Sequence, residues 1–140
     1  MPQDSFTSEG LDDLFSIAQN ILTGCNNRRI FAFSGALGAG KTTLIQRLCA
    51  VLGVSEPVTS PTFNLVNEYV GKNGSVFHFD LYRIEDEEEA YDIGLYEYFD
   101  SGAYCFVEWP ERIPSLMPSD TVQISITTDS RHHRHIEIIS

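Results

Sequence analysis

Ile30-Phe31-Ala32-Phe33 is a short apolar run of the kind that forms a buried strand, and it feeds directly into Gly35-Ala36-Leu37-Gly38-Ala39-Gly40-Lys41-Thr42. After the glycines, Leu44, Ile45, Leu48, Val51 and Leu52 repeat at helical spacing, and Gly53 is a good C-terminal stop. Strand, glycine loop and helix thus follow one another, and the loop fits G-x-x-x-x-G-K-[ST] throughout. Glycines let the backbone turn its N–H groups inward around an anion, here at the start of a helix that has no capping side chain. Lys41 supplies a point charge to the β and γ phosphates of a nucleoside triphosphate, and the Thr42 hydroxyl is a ligand for Mg²⁺. Thr43 either brings its backbone N–H to an α phosphate or is simply the second residue of the helix.

A bound triphosphate needs a cation and an oriented water, and two acids at the ends of candidate core strands fit those two roles. Tyr104-Cys105-Phe106-Val107-Glu108 is a continuous apolar strand ending in an acid; Val76-Phe77-His78-Phe79-Asp80 is a similar strand interrupted by a histidine. Apolar continuity favours Glu108 as the metal-side carboxylate. His78 reads as a core or strand-face histidine and is assigned no chemistry. Thr59-Ser60-Pro61-Thr62-Phe63, between the loop helix and the next strand, reads equally as a hydroxyl-bearing segment that senses the γ phosphate and as a proline turn. Trp109 reads as a packing residue beside the site or, as a lone tryptophan after an acid, as a contact for a ligand or partner. No N-K-x-D element supports a guanine-specific enzyme, so the expected nucleotide is ATP, with ADP as product.

The remaining segments place this site in an α/β layer fold. Leu14, Phe15, Ala18, Ile21 and Leu22 follow helical spacing, with Thr7 or Ser8 as the expected N-cap and Asp12 and Asp13 at the positive end of the dipole. Phe63 to Val70 and Ser75 to Leu81 are strand-like and joined by Gly71-Lys72-Asn73-Gly74, which predicts an antiparallel hairpin. Glu85 to Tyr91 is a charged helical stretch, Leu95 to Phe99 a further turn of helix, and Thr121 to Thr127 and Ile136 to Ile139 are strands. Arg131-His132-His133-Arg134-His135 reads as a basic turn between the last two. The acidic run Asp86 to Glu89 reads most simply as a solvated helix face, with a partner-facing acidic patch as the alternative.

At 140 residues, 42% hydrophobic and 21% charged, the chain has enough material for one packed domain, residues 1–140. No apolar run approaches the length of a membrane span and the first residues have no signal pattern, which predicts a cytoplasmic protein. The three cysteines have no C-x-x-C spacing, so neither a disulfide framework nor a zinc site is expected. With 20 acidic against 9 basic residues, a net charge of -11 disfavours general nucleic-acid binding and leaves any such contact to a local basic patch or to a basic partner.

Four segments together resemble the TsaE (YjeE) P-loop ATPases that assist the threonylcarbamoyl modification of tRNA adenosine. They are Gly38-Ala39-Gly40-Lys41-Thr42-Thr43, Ser60-Pro61-Thr62-Phe63, His78-Phe79-Asp80-Leu81-Tyr82-Arg83 and Val107-Glu108-Trp109-Pro110, in matching order and separation across nearly the whole chain. The resemblance implies a compact single-domain P-loop NTPase fold, with a mixed central sheet flanked by helices. It also implies an Mg²⁺-dependent ATPase, weak alone and active in complex with the TsaD and TsaB proteins. Carried over residue by residue, it puts Lys41, Asp80 and Glu108 in catalysis, with Thr42 and Glu108 on Mg²⁺ and Asp80 supporting the metal or the water. Gly35, Gly38, Ala39, Gly40, Thr42 and Thr43 cradle the phosphates, Thr62 belongs to a switch-like loop and Trp109 lies beside the nucleotide. Thr7, Glu9 and Arg134 occupy places from which family members approach it. Ala36 departs from the acidic residue common at its position. Two rival classes use the same loop: a small-molecule kinase, for which little chain remains to build an acceptor pocket, and a nucleotide-sensing module without useful hydrolysis.

Overall fold

A computed structural model describes residues 5–25, 27–61 and 64–139. Its centre is a seven-stranded mixed sheet in the order β1-β7-β6-β2-β5-β4-β3. The strands are β1 (Ser5–Ser8), β2 (Ile30–Ser34), β3 (Val66–Gly71), β4 (Gly74–Asp80), β5 (Tyr104–Glu108), β6 (Val122–Thr128) and β7 (Arg134–Ile139). β2 lies between β5 and β6 and is parallel to both, and β4 is parallel to β5. The outer strands β1, β3 and β7 pair antiparallel with their neighbours. An α/β fold with a mixed sheet flanked by helices is therefore what the chain adopts.

Residue alternation along the central strands divides the interior into two clusters, one on each face of the sheet. Phe31, Phe33, Phe106, Val122, Ile124 and Ile126 meet α1 (Leu11–Gly24) and α2 (Lys41–Val51), whose Leu14, Ile21, Leu44, Ile45 and Leu48 are fully or almost fully buried. The intervening residues Ile30, Cys105, Val107 and Phe79 face the other way. They pack on Leu81 and Ile84 from the connection after β4 and on Ala90, Leu95, Phe99 and Ile113 from α3 (Glu87–Asp92), α4 (Leu95–Asp100) and the chain around a 3-10 turn at Pro110–Arg112. Strands covered on both faces need near-continuous hydrophobic sequence, which is why β2 and β5 carry almost none of the usual polar alternation.

Several local expectations need correction. Thr7 and Ser8 do not cap α1: they belong to β1, a strand too short and too polar to announce itself, paired with β7. The N-cap is Gly10, and the side chain of Asp13 reaches back instead, accepting from the Glu9 N–H at 2.8 Å and from the Ser8 hydroxyl at 2.6 Å. Arg134 and His135 lie within β7, so only Arg131 to His133 remain in the turn. β3 starts at Val66 because Leu65, at φ 64°, has left extended backbone; Phe63 lies outside the described residues. The expected hairpin forms, with Gly71 opposite Gly74 and a two-residue loop between them. Asp86 caps α3 by accepting from the Glu89 N–H. Among the described residues no helix is long and apolar enough to cross a membrane.

Cys49 and Cys105 are fully buried, one under each face, and burial pushes both thiols up to about 12. The thiolate is the reactive form, so both are expected to be inert in the native protein. A colorimetric thiol assay should count one reactive cysteine, the half-buried Cys25, in native buffer and all three in denaturant.

Candidate functional site

The parallel strands β2, β4 and β5 end together at one edge of the sheet, and the loop from Gly35 to Gly40 turns over that edge into α2. Ligand sites in open α/β sheets form outside the carboxyl ends of such strands. α2 starts at Lys41 from Gly40, which has φ 101° and caps with no side chain, so the first-turn N–H groups face the cavity without a side chain competing for them. Side chains at the two ends of the loop would also crowd their neighbours, with backbone at Gly35 and with the movable Arg134 side chain at Gly40. A Cβ on Gly40 would lie 2.4 Å from Arg134 Nε, and one on Gly35 would lie 2.6 Å from the Ile126 carbonyl oxygen.

A cavity of about 330 Å³ opens at this point. Gly38, Gly40, Lys41, Thr42 and Thr43 form one wall, Asp80 and Glu108 the floor, and Ser60, Tyr82, Trp109 and Arg134 the rim. Gly35 and Ala39 support the loop from beneath, Ala39 being buried. Thr7 and Glu9 do not line the cavity. Thr7 sits in β1 beside the strand that carries Arg134, its hydroxyl 3.4 Å from His135 Nδ1, and Glu9 follows at the helix start. Thr62 lies outside the described residues. Arg134 contributes what the sequence could not show: its Nε is buried against Gly40 and has no hydrogen-bond partner.

The two acids are register partners at the strand ends but have different surroundings. Glu108 is buried, and the Thr42 hydroxyl lies 3.0 Å from each of its oxygens. Asp80 is half-buried; one oxygen accepts from the Ser60 hydroxyl at 2.5 Å and the other from the Tyr82 N–H at 3.0 Å. It is therefore Glu108 that meets the threonine of the loop, while Asp80 faces the Ser60 segment. A hydroxyl and a carboxylate beside a phosphate cradle are the hard oxygen donors that suit Mg²⁺, which takes one or two carboxylates together with substrate phosphates. The residues present fit that partial shell. No cluster of three or more His, Cys, Asp or Glu able to hold a metal by itself occurs among the described residues.

Lys41 is buried, donates to the Gly35 carbonyl at 2.7 Å and has its ammonium 3.4 Å from the centre of the Trp109 ring. Trp109 holds a left-handed conformation, φ 62°, immediately before Pro110, and its ring packs 5.0 Å from that of Tyr82. A bulky residue kept in that region is strained, and such strain persists where surrounding structure enforces it. Here it turns the indole away from the line of β5 and over the loop lysine. Sequence reasoning assigned no chemistry to His78, yet its Nε2 lies 2.7 Å from Glu108 Oε2 with both groups buried. The available signal was a polar residue inside an otherwise apolar strand.

Similarity to known proteins agrees with this geometry. The family described as "Threonylcarbamoyl adenosine biosynthesis protein TsaE" matches residues 8–136. The tRNA threonylcarbamoyladenosine biosynthesis protein TsaE of Bacillus subtilis (strain 168) is 39% identical over 107 residues, which cover 76% of this chain and 66% of that one. Its counterpart in Treponema pallidum (strain Nichols) is 38% identical over 109 residues, 78% of this chain and 80% of that one. The crystal structure of YdiB from Bacillus subtilis superposes with a TM-score of 0.76 at 28% identity, covering 96% of this chain and 82% of that one.

Burial holds the Lys41 pKa below its ordinary 10.5, against the attraction of Glu108, Glu111 and Asp80. The unfolded chain then binds that proton more tightly than the native one, so the penalty is fully present below the folded value and disappears as pH rises towards 10.5. Lys41→Met should therefore melt no lower than the wild type in neutral buffer, with its relative advantage shrinking in alkaline buffer, while its affinity for nucleotide falls at least about tenfold. Thermal melts across pH beside equilibrium nucleotide binding check both halves; a clearly lower melting temperature would contradict the charge penalty.

Proposed function

This chain belongs to the TsaE family of threonylcarbamoyl adenosine biosynthesis proteins, and we propose that it binds and hydrolyses ATP as an accessory subunit of tRNA N6-threonylcarbamoyladenosine modification. In this reading it works in the cytoplasm in complex with TsaD and TsaB, and residues 1–140 act as a single domain. The matched relatives are named for that modification pathway. The observation that carries the catalytic reading is the meeting of Thr42 with Glu108 over the floor of a glycine-loop cavity.

Each residue then has a physical task. Backbone N–H groups from Gly38 to Thr43 hold the phosphates, helped by the positive end of α2. Lys41 leaves the Gly35 carbonyl for the β and γ phosphates, where its buried ammonium is strongly attracted because little water screens it. Thr42 and Glu108 would hold Mg²⁺, which when bound would supply positive charge to offset that developing on the transferred phosphoryl group. Asp80, oriented by the Ser60 hydroxyl and the Tyr82 N–H, positions the attacking water or supports the metal shell from its side. Arg134 brings its guanidinium to the loop from β7, and Trp109 with Tyr82 shields the lysine and phosphates from bulk solvent.

Mixing the chain with TsaD and TsaB should raise its ATP hydrolysis well above that of the isolated protein. Free phosphate release is the measurement, and an unchanged rate would count strongly against the complex-dependent reading. Asp80→Ala should lose about 10²–10⁴-fold in that stimulated rate while retaining ATP affinity within a few-fold, since it is assigned to the reaction and not to the cradle. Comparable losses in binding and turnover would remove that assignment.

A further inference from the structure

His78 lies on the α2-facing side of β4, between Val76 and Asp80 in the alternation of that strand and opposite Phe106 in β5. Val76 and Phe106 are buried apolar residues, and an apolar side chain would serve this stretch of sheet equally well. The imidazole instead is wholly buried, with Nε2 on Glu108 at 2.7 Å and Nδ1 without any hydrogen-bond partner. Burying a ring nitrogen unpaired is unfavourable, so the one bond His78 makes must account for its presence. That bond goes to the carboxylate that also meets Thr42.

Resting on the reading above, we infer that His78 is a positioning residue for Glu108: its Nε2–H donates to Oε2 and fixes the orientation of the carboxylate that, with Thr42, would hold the cation. An ionised carboxylate only accepts, so its partner nitrogen must carry the hydrogen, which leaves Nδ1 as the unpartnered acceptor. The alternative tautomer would set two lone pairs against each other at 2.7 Å. A carboxylate held at the end of a strand still has rotational freedom about its own bonds, and Thr42, touching both oxygens at the same 3.0 Å, does not choose between them. His78 does, because it touches only Oε2. Partners of this kind, behind a ligating group, commonly change metal affinity by about 10–100-fold.

The test separates this inference from the reading it rests on. ATP affinity is measured by calorimetry or by Trp109 fluorescence, in EDTA and across a Mg²⁺ titration, for wild type, Glu108→Gln, His78→Leu, His78→Asn and His78→Gln. The longer Gln amide can reach Glu108 and the shorter Asn cannot. His78→Leu and His78→Asn should need about tenfold more Mg²⁺ for half-saturation, with ATP affinity in EDTA unchanged, and His78→Gln should recover most of the loss. Glu108→Gln should shift in the same direction. If wild type and Glu108→Gln behave as stated while all three His78 variants match the wild type, or if Gln and Asn lose equally, the positioning role is wrong and the proposed function stands. If the wild type binds no ATP, both fall. Should Leu and Asn fail to fold, nitrogen NMR of wild-type His78 decides: a protonated Nε2 whose signal moves when Mg²⁺ joins the ADP complex supports the role, and an unmoved or unprotonated Nε2 overturns it.

Discussion

Parallel pairing of β2 with β5 sets Phe33 opposite Glu108, so the strand that enters the glycine loop and the strand that ends in an acid stop at the same level. The pairing of β5 with β4 sets Asp80 opposite Glu108 in turn. Backbone hydrogen bonds between rigid, doubly covered strands therefore position both acids relative to the first turn of α2. Everything at the site follows from that register. A slip of one residue would send Glu108 to the opposite face of the sheet, towards the cluster around Phe79 and Leu95, and leave Thr42 without its partner.

The same strands pay for a cavity floor that is poor in stability terms. Lys41, His78 and Glu108 are buried polar groups, the last two in direct contact, and Arg134 adds a buried nitrogen without a partner. Each is a desolvated group, and interiors tolerate such groups only where apolar burial elsewhere offsets them. Here the offset comes from the two apolar clusters, which hold the sheet from both sides with fully buried Phe31, Phe33, Phe79 and Phe106. The core and the site are thus one design: a rigid apolar sandwich whose upper edge can carry polar groups in strained or unsatisfied settings.

Two walls of the cavity are made differently. The loop wall is backbone, organised by glycines and a helix terminus, and needs little from the rest of the protein. The opposite wall is side chain, built from Ser60 on Asp80, Tyr82 against Trp109, and Trp109 over Lys41. Its members come from separate segments, and the left-handed backbone at Trp109 is the bend that joins it to the lysine. A general phosphate cradle becomes a site of particular shape through that second wall.

What was legible in the chain was local. Glycine spacing, helical periodicity in α1 and α2, the continuous apolar runs of β2 and β5 and the hairpin glycines each reflect backbone preferences or burial within a few residues, and each can be read in sequence. The acids could be named for the same reason, as polar residues ending apolar runs. Only the tertiary structure decided that Thr42 meets Glu108 across 66 residues, that His78 is the buried partner of that acid, that Ser60 holds Asp80, and that Arg134 comes from β7 to lie against Gly40. The short strand β1 also became visible only in its pairing with β7, because four residues of mixed polarity carry no periodic signal. Periodicity records which way a residue faces relative to its neighbours; which distant residue it meets depends on strand order and register, and those are settled by the packing of the whole sheet.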